Sequence, residues 1–230
     1  MRKSAARSIV DRLEATTADL FDTARTPRRE ALAAGAVVLR RLACADDTAL
    51  LASVDRVIAQ APLRRMVTPG GLRMSAAMTN CGALGWITDR SGYRYEAVDP
   101  DSGRRWPSLP APFLRLARDA AGAAGFADFV PDACLINRYE PGARLTLHQD
   151  RDERDLSFPI VSVSLGLPAV FVFGGRKRSD STLRVLLQHG DVVVWGGLAR
   201  LNYHGVLPLK PGNHALTGAA RINLTLRKAA

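Results

Sequence analysis

Cysteine is scarce in this sequence, and the three present, Cys44, Cys81 and Cys134, lie far apart with no CxxC pair among them. That spacing excludes a disulfide framework and a zinc knuckle, and leaves buried thiols of a reducing compartment as the expectation. No apolar run approaches the roughly 20 residues that span a bilayer, and no signal-peptide core is visible. The chain is therefore expected in the cytoplasm, with no membrane partner. Acidic residues are outnumbered: 22 Asp and Glu stand against 32 Lys and Arg, for a net charge of +10 and a pI near 10.3. Such a balance suits a polyanionic partner, because neutralised phosphates supply most non-specific nucleic-acid affinity. A coding bias toward Arg would give the same sign, so charge alone does not select the partner.

What is present is an apolar fraction of 47% over 230 residues, enough for a full core, and all-β folds of this size are commonly one domain. The first 17 residues mix Arg, Ser and Ala with sparse apolar positions. They read as a basic arm, either disordered or a short amphipathic helix carrying Ile9, Val10 and Leu13, ahead of a single domain over residues 18–230. Residues 35–40 read as a strand. Residues 46–60 read as a helix capped by Asp46 or Asp47, with Leu50, Leu51, Val54, Val57 and Ile58 along one stripe. A second helix is predicted over 111–124, with Leu114, Leu116 and Ala117 apolar and Gly125 as its stop. After it, strand follows strand at 133–139, 143–149, 160–165, 169–173, 183–187, 192–195, 202–206 and 221–227. These short strands, punctuated by Gly, Pro and Asp, predict a mainly β (α+β) protein. Its core at 133–227 is expected to be a double-stranded β-helix, or jelly roll, with helices from the N-terminal half on one outer face.

The densest chemistry lies between Leu135 and Asp152. If residues 143–149 are a strand, its alternation puts His148 and Asp150 on one face. An imidazole and a carboxylate side by side are two metal ligands awaiting a third, and a facial ferrous site takes two His and one carboxylate, leaving positions for co-substrate and O₂. His204, in Arg-Leu-Asn-Tyr-His-Gly, is the better placed third ligand; His189 in a turn and His214 in a Pro-Gly-Asn loop compete with it. An isolated His-x-Asp also arises on ordinary surfaces. The tail adds a separate signal, since Arg221, Asn223, Thr225 and Arg227 alternate with Ile222, Leu224 and Leu226. Two Arg on an inner face are costly to bury without anions. A small dicarboxylate would supply them, because the guanidinium fork matches a carboxylate in bidentate geometry.

Asn137-Arg138-Tyr139, His148-Gln149-Asp150, the run Gly-Asp-Val-Val-Val-Trp-Gly-Gly at 190–197, Tyr203-His204-Gly205 and the Arg-x-Asn-x-Thr-x-Arg pattern ending at Arg227 occur in that order. With these motifs the chain resembles, from about residue 20 to 227, the AlkB family of iron(II)- and 2-oxoglutarate-dependent dioxygenases that repair alkylated DNA. The resemblance implies Fe(II) held by His148, Asp150 and His204, with 2-oxoglutarate and O₂ as co-substrates. It implies that Arg221, helped by Asn137 and Tyr139, binds the distal carboxylate of the co-substrate, and that Arg227 and Asn223 hold its metal-proximal end. The implied activity is oxidative dealkylation of 1-methyladenine- and 3-methylcytosine-type bases, releasing formaldehyde, succinate and CO₂. DNA, single-stranded or as a duplex with a flipped base, is the implied partner, with RNA as a further one and a monomer as the expected state. Two other readings stand beside it: an Fe(II)/2-oxoglutarate hydroxylase of a protein or small molecule, and a non-catalytic basic jelly roll that binds nucleic acid.

Residues 62–103 differ in character, with turn-formers throughout and dense Arg, Met, Trp and Tyr. Between residues 62 and 118 nine Arg face four acids (Asp89, Glu96, Asp99 and Asp101), a net of +5. Basic residues interleaved with aromatics suit an unstacked base, so this stretch is expected to be a nucleotide-recognition lid. The resemblance implies that Trp86 stacks on a flipped base with His148 on the other face, that Tyr93, Thr68 and Met78 line the same pocket, and that Arg178 lies near the base. Where the family pattern has an aromatic residue, this chain has Leu72. Methylation at adenine N1 or cytosine N3 makes the base cationic, so Asp152 and Glu153, just after the metal segment, are expected to favour the lesion. Extruding a poorly paired base also costs less than extruding a normal one.

Overall fold

The structure, a computed structural model, describes residues 28–230, and the arm expected over residues 1–17 lies outside the described residues. Runs of β-branched and aromatic residues form most of the strands where they were expected. In chain order these are β1 (Arg29–Ala33), β2 (Ala36–Leu39), β3 (Ala77–Gly82), β4 (Gly85–Asp89), β5 (Gly92–Glu96), β6 (Ala133–Tyr139), β7 (Leu145–His148), β8 (Ile160–Gly166), β9 (Ala169–Phe173), β10 (Leu183–Leu187), β11 (Val192–Trp195), β12 (His204–Val206) and β13 (Arg221–Arg227). Two α-helices, α1 (Asp47–Gln60) and α2 (Ala111–Ala123), accompany them.

The strands build two antiparallel sheets facing one another. The larger runs β1-β2-β11-β8-β13-β6-β3 and the smaller β10-β9-β12-β7, while β4 and β5 form a separate hairpin. Alternation along β2 and β13 shows how the larger sheet divides its faces. Val37, Leu39, Ile222, Leu224 and Leu226 pack with Leu50, Val54 and Val57 of α1 and with Phe113, Leu116 and Ala117 of α2. Ala36 and Val38 instead join Phe171, Phe173 and Trp195 between the sheets. The helices thus cover one outer face, as expected, and the cavity lies on the other side of the larger sheet.

Both helix ends have a local cause. Asp46 occupies the N-cap of α1 but makes no side-chain cap bond. The Asp47 carboxylate is held instead by Thr48 Oγ1 (3.0 Å) and His189 Nε2 (3.1 Å). At the end of α2, Gly125 takes φ +93° and the Phe126 N–H returns to the Ala121 carbonyl at 2.8 Å, the left-handed stop that glycine allows.

Two boundaries differ from the sequence expectation. The jelly roll is not confined to 133–227, because β2 pairs with β11 and β3 pairs with β6. For the same reason residues 62–103 are not one lid: β3 is an outer strand of the larger sheet, and the stretch before it and the β4–β5 hairpin lie at the cavity. Thr79, Asn80 and Cys81 are all buried, so β3 lacks the polar alternation by which a half-exposed strand is recognised.

The outer face of β13 should set stability. Leu224 is fully buried at the centre of the helix-side core. Leu224→Ala is expected to lose about 2–5 kcal/mol of unfolding free energy, read as a lowered urea midpoint.

Candidate active site

His148 ends β7 and His204 begins β12, and the two are directly opposed in the antiparallel register. Directly opposed residues put their side chains on the same face, and the ring centroids are 4.3 Å apart. Gly205 permits this approach, since a Cβ there would lie 2.7 Å from the Leu145 carbonyl oxygen across the pair. The strand stops at His148, so alternation does not bring in Asp150; the irregular segment that follows does. Asp150 Oδ1 lies 3.5 Å from His148 Nε2, and its Oδ2 lies 3.8 Å from His204 Nε2. Among the described residues, these three are the group of potential ligands whose donor atoms fall within 4.8 Å of one another.

The second nitrogen of each imidazole is tied back. His148 Nδ1 bonds the Thr146 carbonyl at 2.9 Å and His204 Nδ1 the Asn202 carbonyl at 3.0 Å. A carbonyl only accepts, so Nδ1 carries the proton and each Nε2 presents its lone pair toward Asp150. Burial, with the nearby His148, lowers the pKa of His204 to about 4, so this imidazole is neutral at physiological pH. Burial alone would raise Asp150, but Arg227 and the two imidazoles hold it well below the usual carboxylate range. The site therefore offers an ionised carboxylate and a neutral imidazole as ligands without prior deprotonation.

Behind this triad stands the inner face of β13. Arg221 is buried with the Tyr139 ring beneath it, 5.1 Å from the guanidinium carbon to the ring centroid. Its Nη2 donates to Ser164 Oγ at 3.0 Å, while Nε and Nη1 find no partner among the described residues. Burial pulls its pKa below the ordinary value, against the favourable Tyr139. Asn137 Oδ1 is likewise buried without a partner. Asn223 is already engaged, its Nδ2 donating to Ser162 Oγ and the Val163 carbonyl at 2.9 Å and its Oδ1 accepting from Thr225 at 3.0 Å. Arg227 donates Nη2 and Nε to Asp150 Oδ2 at 2.7 and 3.1 Å.

A cavity of about 410 Å³ joins these groups to the recognition side, where Thr68, Met78, Trp86, Tyr93, Asp152 and Arg178 line it. Trp86 is fixed through its backbone, which exchanges bonds of 2.9 and 3.0 Å with the Asn80 side chain of β3. Its indole N–H donates to Asp152 at 2.8 Å, and Tyr93 stacks on it with centroids 5.7 Å apart. One face of Trp86 is thus already covered by Tyr93. Arg178 donates to the Leu147 carbonyl at 2.7 Å, which pins its loop to β7.

Glu153 does not reach the base side. It is absent from the cavity wall and pairs with Arg200 at 2.9 Å, with both side chains buried. A carboxylate at the cavity mouth would be hydrated, whereas this one is matched by two guanidiniums and a phenol. The competing imidazoles also lie elsewhere: His189 Nε2 bonds Asp47, its Nδ1 accepts from the Gly166 N–H at 3.0 Å, and its ring stacks on His214. Sequence reasoning missed Tyr95, Arg200 and Ser164, whose roles arise from contacts across unrelated segments. Only the Gly-Tyr-Arg-Tyr-Glu alternation of β5 offered a signal.

The model of the 2OG-Fe(II) oxygenase superfamily matches residues 35–227. The chain is 61% identical over 212 residues to the alpha-ketoglutarate-dependent dioxygenase AlkB of Salmonella typhimurium, covering 92% of this chain and 98% of that one. The chain belongs to the AlkB family. The solved structure of OsALKBH1 superposes on it with a TM-score of 0.76 at 30% identity, over 87% of this chain and all of the other. More distantly, the human nucleic acid dioxygenase ALKBH1 is 31% identical over 128 residues, 56% of this chain and 33% of that protein.

AlkB family membership makes Fe(II) the cofactor and 2-oxoglutarate the co-substrate, and the donors present fit both. Two imidazoles and a carboxylate are the hard and borderline donors of a facial ferrous site. The unpartnered Nε and Nη1 of Arg221 are donors that a carboxylate would match, in a place where an unmatched guanidinium is otherwise costly. Replacing His204 by Ala should abolish iron-dependent turnover with the far-ultraviolet circular dichroism retained, and His189→Ala should retain turnover. The reverse outcome would overturn this ligand set.

Proposed function

We propose that this AlkB-family chain holds Fe(II) through His148, Asp150 and His204 and oxidatively dealkylates N-methylated nucleobases, of the 1-methyladenine and 3-methylcytosine type, in DNA and RNA. One observation carries the reading: a single cavity has the triad at its centre, the unpartnered donors of Arg221 on one side and the Trp86–Tyr93 stack on the other. When bound, the metal and 2-oxoglutarate supply O₂ activation and oxidation of a substrate C–H bond. In the overall reaction one oxygen atom enters the N-methyl group and the other enters succinate as CO₂ leaves. The cationic N-hydroxymethyl product then loses its O–H proton as the C–N bond breaks, releasing formaldehyde and the neutral base, so no nucleophilic side chain is required.

The chain's own residues supply binding and orientation. Arg221, with Asn137 and Tyr139 around it, receives the distal carboxylate, and Arg227 closes the metal-proximal end beside Asp150. Asn223 acts by holding the strand, since its polar atoms are bonded to Ser162, Val163 and Thr225. A flipped base would enter against the free side of Trp86, with Thr68, Met78 and Tyr93 around it, and Asp152 is the carboxylate on that side of the cavity. A cationic methylated base gains from that charge, and its neutral parent does not. Exposed Arg73, Arg90, Arg104 and Arg105 make no ion pair among the described residues, whereas Arg64 and Arg94 are matched by Asp99, Asp101, Asp89 and Glu96. The unmatched four suit a phosphate backbone passing the cavity. The enzyme so proposed is a monomer acting in the cytoplasm.

Incubation of the protein with Fe(II), 2-oxoglutarate and a methylated single-stranded oligonucleotide should release formaldehyde and succinate in equal amounts. Succinate without formaldehyde would favour the protein or small-molecule hydroxylase, and no dependence on iron or co-substrate would leave the non-catalytic binder. Arg221→Met, which keeps the length of the side chain and removes the charge, should raise KM for 2-oxoglutarate roughly 10–100-fold, the worth of a hydrogen-bonded charge pair. At saturating co-substrate kcat should change little.

A further inference from the structure

Beneath the hairpin lies a buried network that the reaction above leaves unused, and its role rests on the proposed function. Glu153 Oε2 accepts from Arg200 Nη2 at 2.9 Å, while Oε1 accepts from the Tyr95 hydroxyl at 2.8 Å and pairs with the Arg227 guanidinium, its Nε 3.2 Å away. Arg200 also donates Nη1 to the backbone carbonyl of Asp150 at 2.6 Å and Nε to that of Phe158 at 2.9 Å. Asp150, Glu153, Arg200 and Arg227 are all buried. Two carboxylates and two guanidiniums thus form a neutral group that grips Asp150 twice, through its carbonyl by Arg200 and through its carboxylate by Arg227.

The position of Tyr95 gives this group a second connection. Tyr95 lies on β5 directly across from Trp86 on β4. One rung of the hairpin therefore places an indole at the recognition cavity and a phenol on Glu153. Burial, with the charge of Glu153 and against that of Arg227, keeps the phenol well above its usual pKa, so it stays a donor. The Nε of Arg227 donates to Asp150 Oδ2 at 3.1 Å and lies 3.2 Å from Glu153 Oε1 as an ion pair. Two carboxylates therefore attract one guanidinium. When the Tyr95 hydroxyl satisfies Glu153, the guanidinium leans toward Asp150; without it, Glu153 draws Arg227 away and the Asp150 carboxylate loses the group that fixes its angle. Outer-shell partners of this kind orient ligands on a metal.

We propose that Tyr95, Glu153 and Arg200 are positioning residues that couple the seating of the β4–β5 hairpin on a nucleobase to the orientation of Asp150 at the metal. Glu153, by this account, serves the metal ligand and does not read the base. A hairpin seated as it is here keeps Asp150 in one orientation, and displacement of the hairpin would release it.

The test compares wild type with Tyr95→Phe, which removes one oxygen, and Glu153→Gln. Anaerobic titration with Fe(II) in the presence of 2-oxoglutarate, followed by the visible charge-transfer band, gives metal affinity without turnover. Aerobic assays on a methylated oligonucleotide give succinate released per formaldehyde, and fluorescence anisotropy gives oligonucleotide affinity. Both variants are expected to lose 10–100-fold in Fe(II) affinity, roughly the effect of deleting outer-shell partners. Their succinate-to-formaldehyde ratio should rise above that of wild type while oligonucleotide affinity stays close to it. Should Glu153→Gln fail to fold, the double variant Glu153→Leu with Arg200→Met, an apolar pair in place of the ionic one, should fold and show the same metal and coupling losses. Wild-type metal affinity and coupling in Tyr95→Phe would overturn the proposal. Absence of the band in wild type would overturn the proposed function instead, so the two failures are distinct.

Discussion

A guanidinium buried between two sheets must be matched by negative charge, and β13 buries two of them. Arg227 is matched within the chain by Asp150 and Glu153, whereas Arg221 has one hydroxyl partner and two nitrogens without any. The desolvation penalty of an unmatched charge is large, so a cavity that keeps Arg221 half-satisfied is committed to an anionic visitor. Arg227 cannot play that part to the same degree, because its matching carboxylate is also a metal ligand. The same strand thus carries the guanidinium proposed to receive the diacid and the one that holds the Asp150 carboxylate. Its other face, through Ile222, Leu224 and Leu226, supplies the core against α1 and α2 that keeps both guanidiniums in place.

Much of this was legible because β13 has period two. Arg-x-Asn-x-Thr-x-Arg alternating with Ile, Leu and Leu identifies a strand with one polar and one apolar face, and the structure preserves that division from Arg221 to Arg227. The eight strands expected from residue 133 onward are all present, most with the same bounds. Less legible were β3 and the hairpin. Thr79, Asn80 and Cys81 are buried side by side, which removes the alternation. The β4–β5 pair is short and rich in Gly, Asp and Arg, so it read as part of a loop. The convergence of His148 with His204 follows from strand pairing across 56 residues, which no local pattern reveals; the resemblance of the motifs to a known family carried that step.

Glu153 shows where residue-type reasoning fails. A carboxylate three residues beyond a metal ligand looks available to a cationic base, and its neighbour Asp152 does face the cavity. Which of two adjacent acids turns outward is decided by what waits underneath. Arg200, from a segment almost fifty residues later, supplies a buried guanidinium that only an acid can match. Asp152 meets the N–H of Trp86 and remains half in solvent. Two neighbouring acids therefore serve different ends because one has a buried cation within reach and the other has an indole.

The consequence for recognition is that Trp86 is not a free platform. Its backbone is locked to Asn80 and its N–H to Asp152, and one of its faces is taken by Tyr93. A ring so restrained gives up little conformational entropy when a base stacks on its remaining face, which favours binding without new contacts. In the proposed pocket the charge that would favour a methylated base and the bond that orients the ring share the Asp152 side chain, whose Oδ2 accepts from the indole. A cationic base would gain Coulomb attraction from Asp152 while the indole keeps its hydrogen bond, and a neutral base would not gain that attraction. Discrimination by charge would therefore leave the indole–carboxylate bond in place.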